Sequence, residues 1–253
     1  MPEAEDAEVD PSELKATGIA RVPNLFLLDT SASMNTATRN KDGVKERKIE
    51  QVNGGLKLFT EEIGNDPKSE MAIDVSTTTF GGDVQIEQGF APIGEVWLGD
   101  QNSPPKLEAN GGTPMCEGIE TGLKHLVAYT GSVDDEGIPR KKALVWLLTD
   151  GAPNNGPGTK NFEQAQNIIE RGAEDGHLFF YAVGIGDDAD MDTLEELISG
   201  VEDDSKVFSF QLDDDQFADF FKAVSDSASD SVHGGSESAE DAIKDSDSGV
   251  GQI

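Results

Sequence analysis

The chain is poor in cations, in sulfur and in long apolar runs, and each shortage removes a class of function. Nineteen Lys and Arg stand against 50 Asp and Glu in 253 residues, a formal net charge of −31. So few cations cannot neutralise a row of phosphates, which disfavours duplex binding. With one cysteine, Cys116, no internal disulfide is possible, as suits a reducing compartment. No apolar stretch reaches membrane-spanning length. Met1 to Asp6 carry neither the basic flank nor the apolar core of a secretory leader, so the expected location is the cytoplasm, with no membrane partner. Neither a Gly-x-x-x-x-Gly-Lys phosphate loop nor a Gly-x-Gly-x-x-Gly opening a helix is present, which disfavours nucleotide binding. The acidic residues run through every segment rather than one tail. A saline cytoplasm, and hence a halophilic source, accounts for that spread, because salt screens carboxylate repulsion. A nucleic-acid mimic is the rival, but it needs carboxylates in phosphate-like rows.

What the chain does have is three short oxygen-rich pieces, each beside a predicted strand end or helix start. Asp29-Thr30-Ser31-Ala32-Ser33 follows the apolar run Val22 to Leu28. Thr113 follows the turn Asn110-Gly111-Gly112, and Asp150-Gly151 follows the run Ala143 to Thr149. In an open α/β sheet such positions line one crevice at the carboxyl ends of the strands. Two carboxylates and three hydroxyls are hard ligands with little total charge. They suit Mg²⁺ keeping some of its water better than a full cage for Ca²⁺; Mn²⁺ is the other candidate.

The order of elements is that of an α/β domain. A nearly continuous apolar run at Val22–Leu28, interrupted by Pro23 and Asn24, and a continuous one at Leu144–Leu148 read as strands buried on both faces. Met71–Phe80, Leu178–Val183 and Val207–Phe210 read as further strands. Gly81-Gly82-Asp83 turns the chain into a hairpin strand at Val84–Ile86. Ile49, Val52, Leu56, Phe59 and Ile63 recur at helical spacing, as do Ile119, Leu123, Leu126 and Val127. Helices are also expected over 161–171 and 190–198, and around Phe217, Phe220, Phe221 and Val224. Alternation of this kind predicts one doubly wound, Rossmann-like domain: a mostly parallel sheet with one antiparallel edge strand and helices on both faces. The expected boundaries are a mobile acidic arm over 1–20, the domain over 21–227, and a disordered Ser/Asp/Gly-rich tail over 228–253.

Asp29, Ser31, Ser33, Thr113 and Asp150, in that order and context, resemble the metal-ion-dependent adhesion site of the von Willebrand factor type A family. The strings Leu28-Asp29-Thr30-Ser31-Ala32-Ser33-Met34, Gly111-Gly112-Thr113-Pro114 and Leu147-Leu148-Thr149-Asp150-Gly151-Ala152-Pro153 look most like its tellurite-resistance TerY-type branch. So do Val52-Asn53-Gly54-Gly55-Leu56, Gly137-Ile138-Pro139 and Phe220-Phe221-Lys222-Ala223-Val224-Ser225. The likeness runs from about Val22 to Ser227. It implies a six-stranded sheet, direct metal contacts from Ser31 and Ser33, Asp29 and Asp150 acting directly or through water, and a conditional contact from Thr113. It further implies an interaction module in which an Asp or Glu of a partner protein completes the metal's coordination, within a stress- or tellurite-resistance assembly.

Each piece alone has a plainer reading. Asp29, Ser31 and Ser33 suit a turn, Thr113-Pro114 a helix N-cap, and Asp150-Gly151 an ordinary bend. A metal-dependent hydrolase is the alternative function for the joint site, but it needs a base beside the water. His125 falls in a helix, His177 begins a strand and His233 lies in the acidic tail, so a non-enzymatic module is expected. Cys116 is expected to pack at its helix start, and Trp97 and Trp146 in the core or a loop. Asp188, Asp190 and Asp192 are expected to cap a helix rather than bind Ca²⁺. The segment from Asn35 to Lys48 carries Arg39, Lys41, Lys45, Arg47 and Lys48. A solvated loop and a partner contact are equally open readings of it.

Overall fold

The structure, a computed structural model, describes residues 18–39, 43–99, 102–213 and 216–234. Six strands form the central sheet: β1 (Val22–Asp29), β4 (Ile73–Gly81), β5 (Asp83–Pro92), β6 (Ala143–Thr149), β7 (Leu178–Ile185) and β8 (Val207–Leu212). They lie in the order β5-β4-β1-β6-β7-β8, all parallel except the β4–β5 hairpin at one edge. Every residue of β1 and β6 is buried, which is why both read as largely apolar runs, β1 interrupted only by Pro23 and Asn24 before Asp29. Pro23 is tolerated in central β1 because its pairing with β6 begins one residue later, at Asn24.

Alternate residues of β1 serve opposite faces. Phe26 and Leu28 meet α1 (Lys48–Gly64) and α7 (Phe217–His233), whereas Leu25 and Leu27 meet α4 (Met115–Asp135) and α5 (Lys160–Glu174), with α6 (Met191–Ile198) alongside. Full burial of each such Leu or Phe contributes about 1.5–3 kcal/mol. Helices α1 and α7 pack closely because position 55 is glycine: a Cβ there would lie 2.0 Å from the Phe221 ring.

Several boundaries differ from expectation. Met71 is not in a strand; it belongs to a short helix, α2 (Pro67–Ala72), started by Pro67 and capped by the Asp66 side chain. The strand after the hairpin runs to Pro92 and leads into a single turn, α3 (Ile93–Val96). Gly172 lies within α5 rather than ending it. Val127 is 66% exposed, off the buried face of α4. The basic segment contains a small hairpin, β2 (Ala37–Arg39) and β3 (Lys45–Arg47). The last helix passes Ser227 and ends at His233, capped by Gly234 in the left-handed conformation, so residues 228–233 are helical rather than tail. The rest of the expected arm and tail, residues 1–17 and 235–253, lies outside the described residues.

At the amino edge of the sheet, Arg21 is fully buried. It donates to both carboxylate oxygens of Asp74, one bond at 2.8 Å, and to the Met71 carbonyl; Tyr129 donates to Asp74 at 2.6 Å.

Candidate metal centre

The strand order reverses about β1: the chain moves from β1 to β4 on one side and later to β6 on the other. Such a switch point opens a crevice at the carboxyl ends of the strands. Asp29 ends β1 and Asp150 directly follows β6, so both carboxylates fall there by topology. The Ser31 amide donates to Asp29 Oδ1 at 2.7 Å, bending the chain into a 3-10 turn over Ala32–Asn35. Ser31 occupies the N-cap position of that turn, yet its hydroxyl does not cap it. Instead Ser31 Oγ lies 2.9 Å from Ser33 Oγ, and Ser33 Oγ donates to Asp150 Oδ1 at 2.6 Å. The second Asp29 oxygen accepts from Thr149 Oγ1 at 2.6 Å.

Thr113 is held beside this group by backbone bonds to Asn154 rather than by a bond to any of its members. The Thr113 amide donates to Asn154 Oδ1 at 3.0 Å, and the Asn154 amide returns a bond to the Thr113 carbonyl at 2.9 Å. The preceding turn is laced to both neighbours: Ala32 donates to the Gly111 carbonyl at 3.0 Å, and Gly82 to the Gly112 carbonyl at 2.9 Å. Gly111 has φ +77°, and a Cβ there would lie 2.4 Å from Gly82 Cα, so only glycine allows this approach. Thr113 is not the N-cap of α4; Pro114 holds that position, without a side-chain cap bond. Asp29 is thus the last residue of β1 and the other four lie in the turns and loops beside it; Asp29, Ser31, Ser33 and Asp150 are joined by hydrogen bonds.

Asp29, Ser31, Thr113 and Asp150 are buried, while Ser33 is exposed and forms the mouth. Burial pushes the Asp29 carboxyl above its ordinary pKa; bonds from Ser31 and Thr149 pull it down, and nearby Asp150 pushes it up again. The donor set fits a small hard dication. The 2.9 Å between the serine oxygens matches the edge of an octahedron with bonds of about 2.0–2.1 Å. Among the described residues no three His, Cys, Asp or Glu side chains converge as a metal cage, so the group depends on hydroxyls.

Three contributors escaped sequence reasoning. Thr149 was hidden inside an apolar run, and Asn154 in a turn. Lys48, counted among loop cations, is buried: its Nζ donates to Asp150 Oδ2 at 3.2 Å and to the Ile185 carbonyl at 3.1 Å. The expectation of a surface cation is thus corrected for Lys48 alone. Arg39, Lys45 and Arg47 are exposed, and Lys41 lies outside the described residues.

The remaining candidates are structural. His125 stacks on Phe90 with ring centroids 5.2 Å apart. His233 belongs to α7, not to a tail, and its Nε2 lies 2.7 Å from Asp66. Cys116 is buried with its thiol donating to the Asn155 carbonyl; burial first, and then Glu117, pushes its pKa up to about 11. Asp190 caps α6, accepting from the Thr193 amide and hydroxyl at 3.2 and 2.7 Å. Trp97 and Trp146 are both in the core. No helix among the described residues is long and apolar enough to cross a membrane.

The comparisons agree with this architecture. A von Willebrand factor type A protein from Catenulispora acidiphila superposes with a TM-score of 0.55 at 16% identity, over 83% of this chain and 43% of that one. The PilB minor pilin from Streptococcus sanguinis gives 0.57 at 13%, over 82% and 61%. The ArnB paralog VWA2 from Sulfolobus acidocaldarius gives 0.53 at 14%, over 83% and 45%. The chain spans less than two thirds of the length of each. At these identities the likeness concerns the fold alone. The von Willebrand factor type A domain family itself matches residues 25–223, nearly the whole described body, and the chain belongs to that family.

Proposed function

We propose that this domain is a metal-dependent protein-recognition module rather than an enzyme. The observation that carries this reading is the run of oxygens Ser31–Ser33–Asp150, spaced 2.9 and 2.6 Å, at the topological switch point. Ser31 and Ser33 present hydroxyls as direct ligands of Mg²⁺ or Mn²⁺. Asp29, held by Thr149 and the Ser31 amide, fixes the turn and supplies charge. Asp150 holds Ser33 with one oxygen, and Thr113 offers a further hydroxyl from a clipped loop. A bound dication supplies a Lewis-acidic position open to a carboxylate, so the partner is a protein offering an Asp or Glu. Against hydrolysis, His125 and His233 are engaged elsewhere, and the buried amine of Lys48 is already paired. The exposed cations of the β2–β3 hairpin suit steering of an acidic partner.

Calorimetry tests the site. Wild type should bind one Mn²⁺ or Mg²⁺, and Ser33→Ala, which leaves the buried Lys48–Asp150 pair in place, should weaken it sharply with the fold intact; equal affinities would refute the assignment.

The TerY-like strings support a cytoplasmic place in a stress or tellurite-resistance assembly. The spread of carboxylates supports a halophilic source. Thermal stability should then rise substantially from dilute buffer to molar KCl as repulsion is screened; a flat profile would remove the halophilic reading.

A further inference from the structure

We propose that Lys48 is a resident cation of the metal centre that sets its charge, so that the loaded site favours an anionic ligand. This rests on the metal-binding reading above and concerns what distinguishes the site in this chain. Lys48 opens α1, and its amide is fixed by the Thr36 carbonyl at 3.1 Å. The residue is 4% exposed, although it comes from a segment whose other described cations face solvent. Burying an ammonium is costly unless charge and hydrogen bonds compensate, and here both do. Nζ takes the Asp150 carboxylate at 3.2 Å and the Ile185 carbonyl, at the end of β7, at 3.1 Å.

The Asp150 carboxylate is thereby divided. Oδ2 faces the lysine, while Oδ1 faces Ser33 and the open mouth. Asp29 and Asp150 contribute two negative charges and Lys48 one positive, which leaves −1 in the protein. A dication brings the centre to +1, where two carboxylates alone would give zero. A positive centre holds a carboxylate more firmly and a neutral ligand no better. The same charge weakens metal binding, so Lys48 exchanges affinity for the ion against affinity for the ion's ligand. A lysine that merely anchored α1 would change stability and neither of these.

The test uses Mn²⁺ and acetate. Calorimetry gives Mn²⁺ affinity, and water-proton relaxation of the bound Mn²⁺ follows acetate binding. Lys48→Met should tighten Mn²⁺ and weaken acetate on the loaded protein, each by about tenfold, the direction expected when a buried unit charge is removed. Lys48→Arg, which keeps the charge, should stay near wild type. Should Lys48→Met not fold, Lys48→Gln keeps a donor without charge and carries the same expectation. Wild-type Mn²⁺ and acetate affinities in the neutral variant overturn the inference while leaving the metal site standing. Loss of specificity at the site itself reads differently: Mn²⁺ binding unaffected by Ser31→Ala, or no Mn²⁺ binding in either wild type or Lys48→Met, removes the metal reading and this inference with it.

Discussion

At the amino edge of the sheet Asp74 is held by Arg21 and Tyr129; at the carboxyl edge Asp150 is held by Lys48 and Ser33. Both carboxylates are buried and both face a buried cation. The partners differ in kind. Arginine meets both oxygens of Asp74 with a planar fork and sends another donor to the Met71 carbonyl. Burial works against the Arg21 charge, yet the bonds and charge of Asp74 outweigh it and raise its pKa. Burial, then Asp74, raises the Tyr129 pKa as well, so the phenol stays a donor. That network is closed. Lysine meets one oxygen of Asp150, and the other goes to an exposed serine that a ligand can reach. One end of the sheet spends its ion pair on locking β1 to β4, and the other keeps half of a carboxylate available.

Cutting each pair in turn tests that contrast. Arg21→Met leaves a charged Asp74 buried without its main partner and should cost about 3–5 kcal/mol of stability. Tyr129→Phe removes one bond to the same carboxylate and should cost about 1.5–3 kcal/mol. Lys48→Met should cost less than Arg21→Met, because Asp150 keeps Ser33 and borders an open mouth. Added Mn²⁺ should recover part of that loss by binding the folded state, and should do nothing specific for Arg21→Met. Denaturant titrations in molar KCl, with and without Mn²⁺, measure all three. If Arg21→Met costs no more than Lys48→Met, the two ends are not different in kind.

Much of the centre could be read from the chain because its parts sit beside strong local signals. Apolar runs marked β1 and β6, and the residues just past them, Asp29 and Asp150, are the two carboxylates of the candidate centre. Thr113 was marked by the glycine turn before it. Other features depended on distant partners. Lys48 and Asp150 are separated by 102 residues, and in a run of cations a lysine reads as solvated until the fold buries it. Arg21 and Asp74 are separated by 53, with Asp74 inside an otherwise apolar and hydroxylic strand. Met71 resembled the start of β4 because the helix before it is only six residues long, set by Asp66 and Pro67 rather than by periodicity. The end of α7 was missed because Ser225, Ser227 and Ala228 bury small side chains that carry little apolar signal.

The smallest expected effect separates buried from exposed charge within one basic segment. Arg39 and Lys45 stand on the β2–β3 hairpin in solvent, three and nine residues from the buried Lys48 in the case of Lys45 and Arg39 respectively. Exposed charges interact weakly, and the screening length falls from about 10 Å at 0.1 M salt to about 3 Å at 1 M. Replacing Arg39 and Lys45 together by Ala should therefore change Mn²⁺ affinity by about twofold at most in dilute salt, and the change should vanish in molar KCl. The effect of Lys48→Met should persist there, since a buried pair is screened far less. Calorimetry of both variants across one salt series gives the answer. If the hairpin variant shifts Mn²⁺ affinity as much as Lys48→Met, or if both effects fade together with salt, then Lys48 acts as one more surface cation and its burial beside Asp150 has no electrostatic consequence of its own.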